Sequence, residues 1–594
     1  MIDYIIIILG GDKMLKDCLE IFEAELERTK KRFGDSDRLI LDEYILADGD
    51  YLVVEKNGEI RQCSVRMDKK TRTVERIPVD DKLYERICFY DYHSRLVSMD
   101  KPQDTKKVIH SNSYLAFWVK WDSFDNGKLN EEAIDRYFDI LKDPREKYKK
   151  SQDRKMYDYI AKKIGEVDQK KLEKNREWIK GHIFGLDELE LNRKNYLKIF
   201  FAEEPKLYVQ EEQRYVMTKI FNKNDYNVEI DGQIYGLSND NLGLNSKKPY
   251  LEKKTRKMTI PYLITPEEAI GQRKFFDYLM NKANAGETNI FFDYDEKKII
   301  SKKRDQMVEG DFSGYFLKIQ KGKELEIHHQ DTIVDYKYFL KKKFLYRNVI
   351  GAEDREGKYK EYVNRQGLQE IVNEVFYSKW LTGNYFTPED EMSIDGELKR
   401  ILIWSREAVF TWLYKGREVG MDRILHTVAR NVIKESIKNG YMGKVVQQFN
   451  LMCSFDEYFG GCNMADRYSE IREKLRDKIN CRGEQIIESD EEYFYAVGQL
   501  VGYYISLSKA KEKTHSLANP FFNATSNEVL QTRLKQYFMK YNHEIATRSS
   551  RFNYMYGMVL GYELEGKIRQ EPIIAGYLSN SLFYESSKKE MEET

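Results

Sequence analysis

The 594-residue sequence predicts an α+β protein: a mixed α/β N-terminal region with hairpins over residues 1–365, then an all-helical C-terminal bundle over residues 366–594. Three observations point there. Hairpin signals are confined to the first part, helix-start signatures dominate the last, and the texture changes near Gln366. Hydrophobic residues are 41% and charged residues 33%, enough apolar side chain for packed cores. The length suits about two to four domains.

The elements follow in order. Tyr4–Leu9 is an apolar run too short for a membrane span, which takes about 18 residues, and reads as a buried strand or first helical turn. No other run reaches that length, so a soluble, cytoplasmic protein is expected. Leu15–Phe33 has helical spacing. Asp50–Val65 alternates around Asn57-Gly58, a strong short hairpin signal. Asp143–Lys180 reads as charged helices with solvated faces. Thr265-Pro266-Glu267-Glu268 combines an N-cap, a first-turn proline and a capping-box glutamate, and opens a helix running to about Lys282. Asn289–Tyr294 is a short strand, and Phe312–His328 a hairpin turning near Lys321-Gly322.

Beyond Gln366, capping boxes are read at Ser454/Glu457, Ser489/Glu492 and Thr525/Glu528. Val497, Leu500, Val501, Tyr504 and Ile505 form one inward stripe; Val529, Leu530, Leu534, Tyr537, Phe538 and Tyr541 form another. Gly557 and Gly561, four apart, would let helix backbones approach closely. Amphipathic helices joined by short polar connections make a bundle.

Chemistry-bearing motifs are few. The six cysteines (Cys18, Cys63, Cys88, Cys453, Cys462 and Cys481) contain no C-x-x-C pair, which disfavours a zinc ribbon or a disulfide framework and fits a reducing compartment. There is no phosphate-binding G-x-x-x-x-G-K-[ST], no H-E-x-x-H (His543-Glu544 is followed by Ile-Ala-Thr) and no G-x-S-x-G. His328 and His329 are neighbours on a strand and point to opposite faces. Asp48-Gly49-Asp50 reads as a turn, with a Mg²⁺ pair as the alternative. No catalytic residue, cofactor or metal is assigned.

The 99 basic and 99 acidic residues cancel, but binding depends on local patches. Between Lys247 and Lys257 lie six cations (Lys247, Lys248, Lys253, Lys254, Arg256, Lys257) against one acid, Glu252. The preceding Ser238–Asn245 stretch is rich in loop-forming Asn, Asp and Gly. Amides read base edges while lysines hold phosphates; a solvated loop is the other reading. A second segment interleaves Tyr90, Tyr92, Arg95, Lys101, Lys106 and Lys107 with Ser111–Lys120, which carries Tyr114, Phe117 and Trp118. Cations among aromatics suit single-stranded RNA; a partly buried strand–loop–helix is the other reading.

At these two segments the sequence resembles the large subunit of type I-B CRISPR surveillance complexes (Cascade), the Cas family numbered eight, subtype b. The residues that carry the resemblance are Asp91-Tyr92-x-Ser94, Lys101, Lys106-Lys107-x-Ile109-x-Ser111-Asn112-x-Tyr114, Asn245-Ser246-Lys247-Lys248-Pro249-Tyr250 and the helical region Glu492–Gly561. It extends over most of the chain and is weakest in residues 143–200. The resemblance implies a non-catalytic subunit that contacts the 5′ handle of the CRISPR RNA. It would help recognise the protospacer-adjacent motif (PAM) on target double-stranded DNA, assist R-loop formation and recruit a separate helicase–nuclease in antiviral defence. Its partners would include backbone, handle-binding and small subunits, and no membrane.

Placed on that architecture, Asn245, Lys247, Lys248, Lys253, Lys254 and Arg256 are the DNA/PAM candidates. Lys101, Lys106, Lys107 and Asn112 are the RNA candidates. Some relatives carry a zinc-finger-like cysteine set, which this chain lacks. The resemblance also implies that residues 464–594 are made separately as a small subunit from an internal start at Met464. Gly460-Gly461 offers purine-rich codons upstream; a glycine pair ending a helix is the plain alternative. Two other functional readings stay open: a Mg²⁺-dependent nucleic-acid enzyme with dispersed acidic ligands, and a helical scaffold unrelated to nucleic acid.

Overall fold

The computed structural model describes residues 10–67, 74–76, 81–96, 103–221, 224–237, 263–322, 325–351, 353–354, 356–394, 396–460, 463–508 and 515–585. The Tyr4–Leu9 run lies outside them. The fold is α+β, with the sheets in the first part of the chain and helices alone after Asn364. By its internal contacts the chain divides into residues 1–303 with 315–331, and residues 304–314 with 332–594.

In the first unit, strands β1 (Gly49–Val54), β2 (Ile60–Met67), β3 (Val74–Arg76), β4 (Ala116–Lys120) and β5 (Tyr196–Phe201) form one mixed sheet in the order β3-β2-β1-β5-β4. β1 and β2 are the expected hairpin, in register from Gly49↔Val65 to Val54↔Ile60. Gly58 takes φ 88° in the turn, a left-handed conformation that suits glycine. β1 also pairs parallel with β5, and β5 antiparallel with β4. All six residues of β1 are buried, as expected of a central strand covered on both faces. The sheet core gathers Tyr51, Leu52, Phe117, Tyr137, Phe138, Ile199 and Phe200.

A second core in this unit joins helix Gly10–Phe33 to helix Pro266–Asn284 through Ile21, Phe22, Phe275 and Leu279. The capping box at its start forms as read: Glu268 N donates to Thr265 Oγ1 (3.2 Å) and Thr265 N to Glu268 Oε2 (2.8 Å). A small antiparallel sheet holds β6 (Val228–Ile230), β7 (Gln233–Leu237) and β8 (Leu263–Ile264). Gly236 of β7 packs flat on Phe221, where a Cβ would stand 2.2 Å from the ring. Strands β9 (Asn289–Asp293), β10 (Ile299–Lys302), β11 (Phe312–Lys321) and β12 (Leu325–Tyr336) complete a four-stranded sheet, order β10-β9-β11-β12. The unit boundary falls within β11 and β12.

The second unit contains the pair β13 (Phe339–Leu345) and β14 (Glu361–Asn364), followed by helices. Ser489 caps helix Asp490–Ser506 as expected, accepting from Glu492 N, and Val497, Leu500, Val501, Tyr504 and Ile505 are buried.

Three expectations are corrected here. Ser454 starts no helix. It lies buried inside helix Met442–Gly460, where its Oγ donates to Asn450 O and accepts from Arg347 N, while Glu457 binds the Arg347 guanidinium at 2.7 and 3.0 Å. That Ser/Glu pair grips an arginine instead of capping. Helix Asn527–Tyr541 is capped by Ser526, one residue later than read, and Val529 is turned outward at 40% exposure. Gly557 has nothing within 4 Å of where a Cβ would be. The close helix approach occurs at Gly498 and Gly576 instead. A Cβ on Gly498 would lie 2.1 Å from Ile573 O, and one on Gly576 2.1 Å from Tyr495 O, so helices Asp490–Ser506 and Gln570–Leu578 touch backbone to backbone.

Candidate nucleic-acid interface

The family-like residues of helix Asp81–Ser94 face inward. Asp91 is buried, accepting from Lys198 Nζ at 2.5 Å and Tyr44 Oη at 2.7 Å. Lys198 also stands 3.9 Å from the centre of the Trp118 ring. Tyr92 Oη donates to Asp277 (3.0 Å), and His93 Nδ1 meets Glu212 (2.5 Å), which also binds Arg273 (2.6 Å). Burial alone would raise the Glu212 pKa, but Arg273 and His93 outweigh it and hold the carboxyl below its ordinary range. A buried charge needs such pairing. These groups tie the helix to β5 and to helices Pro205–Val216 and Pro266–Asn284.

The next segment is built differently. Asp104 is fully buried and accepts from the backbone N–H of Lys106 (3.1 Å), Val108 (2.7 Å) and Ile109 (3.3 Å), and from Arg136 Nε (2.9 Å). Burial raises its pKa; Arg136 and the amides more than offset this, so it stays ionised below the usual carboxylate range. Its grip folds residues 104–109 into a tight loop with Val108 and Ile109 inside and Lys106 and Lys107 exposed. Lys107 is held at φ 58°, a conformation few non-glycine residues adopt.

After the loop the chain turns inward again. Ser111 Oγ accepts from Trp118 N and lies 2.7 Å from Tyr137 Oη. Asn112 is buried, and its Nδ2 donates to Arg95 O (2.8 Å), so this RNA candidate faces the protein interior. Tyr114, Phe117 and Trp118 are core residues and offer no stacking face.

Two groups that sequence reasoning did not single out, His110 and Tyr196, complete the patch with Lys120. β4 ends at exposed Lys120, paired directly across from Tyr196, the first residue of β5. The His110 ring meets the Tyr196 ring edge-on, centroids 5.4 Å apart, and Lys120 Nζ is 5.7 Å from the Tyr196 ring centre. His110 also hydrogen-bonds the Lys107 backbone. Burial first, then Lys120, lowers the His110 pKa; the hydrogen bond to the Lys107 backbone and the Asp104 charge oppose this, and the Lys107 charge adds a smaller lowering. Lys106, Lys107 and Lys120 have no carboxylate partner among the described residues. The arrangement therefore gathers cations around one imidazole and one tyrosine ring, with the carboxylate that acts on His110, Asp104, already committed to Arg136 and backbone.

Asp50 accepts from Ser64 Oγ, Trp121 Nε1, Asn192 N and Arg193 N at 2.6–2.9 Å. It anchors the turn that leads into β5, and its lone pairs are spent. Among the described residues no group of three metal-ligating side chains converges. His328 and His329 take separate partners, Glu326 and Asp331. Cys18, Cys63, Cys88 and Cys453 are free and buried, and Cys481 is free and exposed.

The remaining candidates, Asn245, Lys247, Lys248, Lys253, Lys254 and Arg256, and Lys101 of the RNA set, lie outside the described residues. The residues that flank the Asn245–Arg256 candidates are fixed: Leu237 at the end of β7 pairs with Leu263 at the start of β8. No helix among the described residues is long and apolar enough to cross a membrane. No protein-family model matches the chain, and no curated protein matches it.

Proposed function

We propose that this chain is the non-catalytic large subunit of a type I-B CRISPR surveillance complex. In this reading it contacts the CRISPR RNA near its 5′ handle, recognises the PAM on target DNA, assists R-loop formation and recruits the helicase–nuclease. The supporting observation is the Asp104-anchored loop. The same stretch that carries the family texture, Lys106 to Tyr114, is one built unit with its lysines outward and Ile109, Ser111, Asn112 and Tyr114 inward. Asp50 has no lone pair left for Mg²⁺, which weighs against the enzyme reading that leaned on it. Helix Met464–Asn480 begins at Met464, which suits the proposed internal start; its cap, Asn463, belongs to the full-length chain alone.

The test is co-expression with the neighbouring genes. The complex should purify with CRISPR RNA and bind PAM-bearing duplex. Lys247→Ala with Lys248→Ala should weaken PAM-dependent binding, and Lys106→Ala with Lys107→Ala should weaken RNA-dependent assembly. A chain that purifies without RNA and lies far from any CRISPR array refutes the proposal. Mass spectrometry of the product of the unmodified gene should find a second chain beginning at Met464.

A further inference from the structure

We propose that Lys107, His110, Lys120 and Tyr196 form one nucleotide subsite for single-stranded nucleic acid, in which a phosphate sits among the three nitrogenous side chains and the adjoining base packs on the Tyr196 ring. This rests on the reading of this face as a polynucleotide contact, and adds which residues hold which part of the nucleotide.

The argument begins with charge. The His110 ring packs against Tyr196, whose ring centre lies 5.7 Å from Lys120 Nζ; the charges of Lys120 and, more weakly, Lys107 disfavour His110 protonation, while its hydrogen bond to the Lys107 backbone favours it. Proteins normally relieve such crowding with a carboxylate. Here the carboxylate that acts on His110, Asp104, already accepts three backbone N–H groups and Arg136. An anion placed among the three side chains would offset that repulsion, and a nucleotide brings both an anionic phosphate and a flat base.

Geometry adds the second half. Tyr196 is half-buried; the His110 ring stands nearly perpendicular to its ring, and Lys120 Nζ lies 5.7 Å from the ring centre. Moving Lys120 to the phosphate frees that ring for a base, and base–aromatic stacking tolerates any sequence. Lys106, one residue from Lys107 and exposed, is placed for a neighbouring phosphate. The strands beneath, β4 and β5, are fixed by five paired residues, and the loop by Asp104, so the subsite is preorganised. A duplex would present stacked, paired bases and no free ring, so preference for single strands follows.

Protons supply a readout that a simple lysine patch lacks. His110 is mainly neutral in the free protein near neutral pH, because its pKa is lowered. A bound phosphate favours the charged imidazolium, so binding takes up a proton and strengthens as pH falls.

The test uses the full-length chain and a labelled single-stranded RNA of about 12 nucleotides, within the range such sites span, in about 50 mM salt to preserve phosphate contacts. Affinity should rise severalfold between pH of about 7.5 and about 5.5, around the ordinary histidine range. His110→Gln should flatten that rise. Tyr196→Leu should weaken binding by about tenfold or more, the value of one stacked base, while Tyr196→Phe keeps it. A duplex of the same sequence should bind less tightly and ignore Tyr196→Leu. Single-strand binding with an unchanged pH profile in His110→Gln, or unchanged affinity in Tyr196→Leu, overturns the subsite and leaves the wider polynucleotide reading standing. Absence of single-strand binding in the unaltered chain overturns both.

Discussion

Replacing Asp104 tests the candidate interface at its foundation. Asp104→Ala removes one charge-assisted bond from Arg136 and three backbone bonds, from Lys106, Val108 and Ile109. Bonds to a charged group contribute about 1.5–3 kcal/mol each, and four that share one carboxylate are not additive. A combined cost of about 3–5 kcal/mol is expected, in the range for breaking a buried pair. Much of it should appear as local opening, because the loop is short and lies at the end of β4. Hydrogen exchange followed by mass spectrometry on peptides spanning residues 104–112 should therefore accelerate by a factor of hundreds or more, since each 1.4 kcal/mol is tenfold, while peptides from β1 change little. Asp104→Asn should fall between, because one amide oxygen still accepts. Acid should mimic the substitution. The folded pKa of Asp104 is depressed, so its contribution is complete above the ordinary carboxylate value and is lost as pH falls through the lower folded value. Unchanged exchange over residues 104–112 in Asp104→Ala would show that this carboxylate does not hold the loop.

Three further outcomes follow from the same structure. Gly498→Ala and Gly576→Ala each press a methyl group against a carbonyl at 2.1 Å and should each lower stability by about 3 kcal/mol or more; the double variant should cost less than the sum, because one displacement of helix Gln570–Leu578 relieves both clashes. His426 is held between Asp456 (3.2 Å) and Glu571 (3.3 Å), which push its pKa up to about 9 against the effect of burial. Its stabilisation is complete below its ordinary pKa and is lost as pH rises through about 9, so the unfolding free energy from urea titrations should fall over that window by about 1–2 kcal/mol after allowance for partial exposure, and His426→Gln should abolish that slope. Asp50→Ala should destabilise the first unit by about 3 kcal/mol or more, whereas Mg²⁺ should leave the melting temperature of the unaltered chain where it was; a Mg²⁺-induced rise lost in Asp50→Ala would revive the enzyme reading.

What the sequence discloses depends on how local the deciding chemistry is. The Asn57-Gly58 hairpin and the Thr265 capping box are settled within a few residues, and both form as read. Thr525 and Ser526 are adjacent hydroxyls, and only the backbone conformation, extended at Ser526, decides which one caps. Ser454 and Glu457 satisfy a capping pattern, but Arg347, over a hundred positions away, claims both. The interface follows the same rule. Lys106 and Lys107 are legible as cations, and Asp104 two residues earlier is a recognisable turn anchor. The inward turn of Asn112 depends on the Arg95 carbonyl. His110, Lys120 and Tyr196 meet because residues 109–110 bridge to β4 and β4 pairs with β5, which leaves no trace in spacing.

The pairing of Leu237 with Leu263 bears on how such a protein could change its target. Both flanks of the cationic segment are tied to the same small sheet, and Gly236 seats that sheet on Phe221. Whatever is inserted between the two leucines starts and ends at the same place. Closing a longer connection costs only about 0.6 kcal/mol per doubling of length. Sequence there can lengthen, shorten or be replaced between related chains while the folding problem stays the same. Variation in length and sequence between related chains should therefore accumulate between Leu237 and Leu263 and spare the clamp itself.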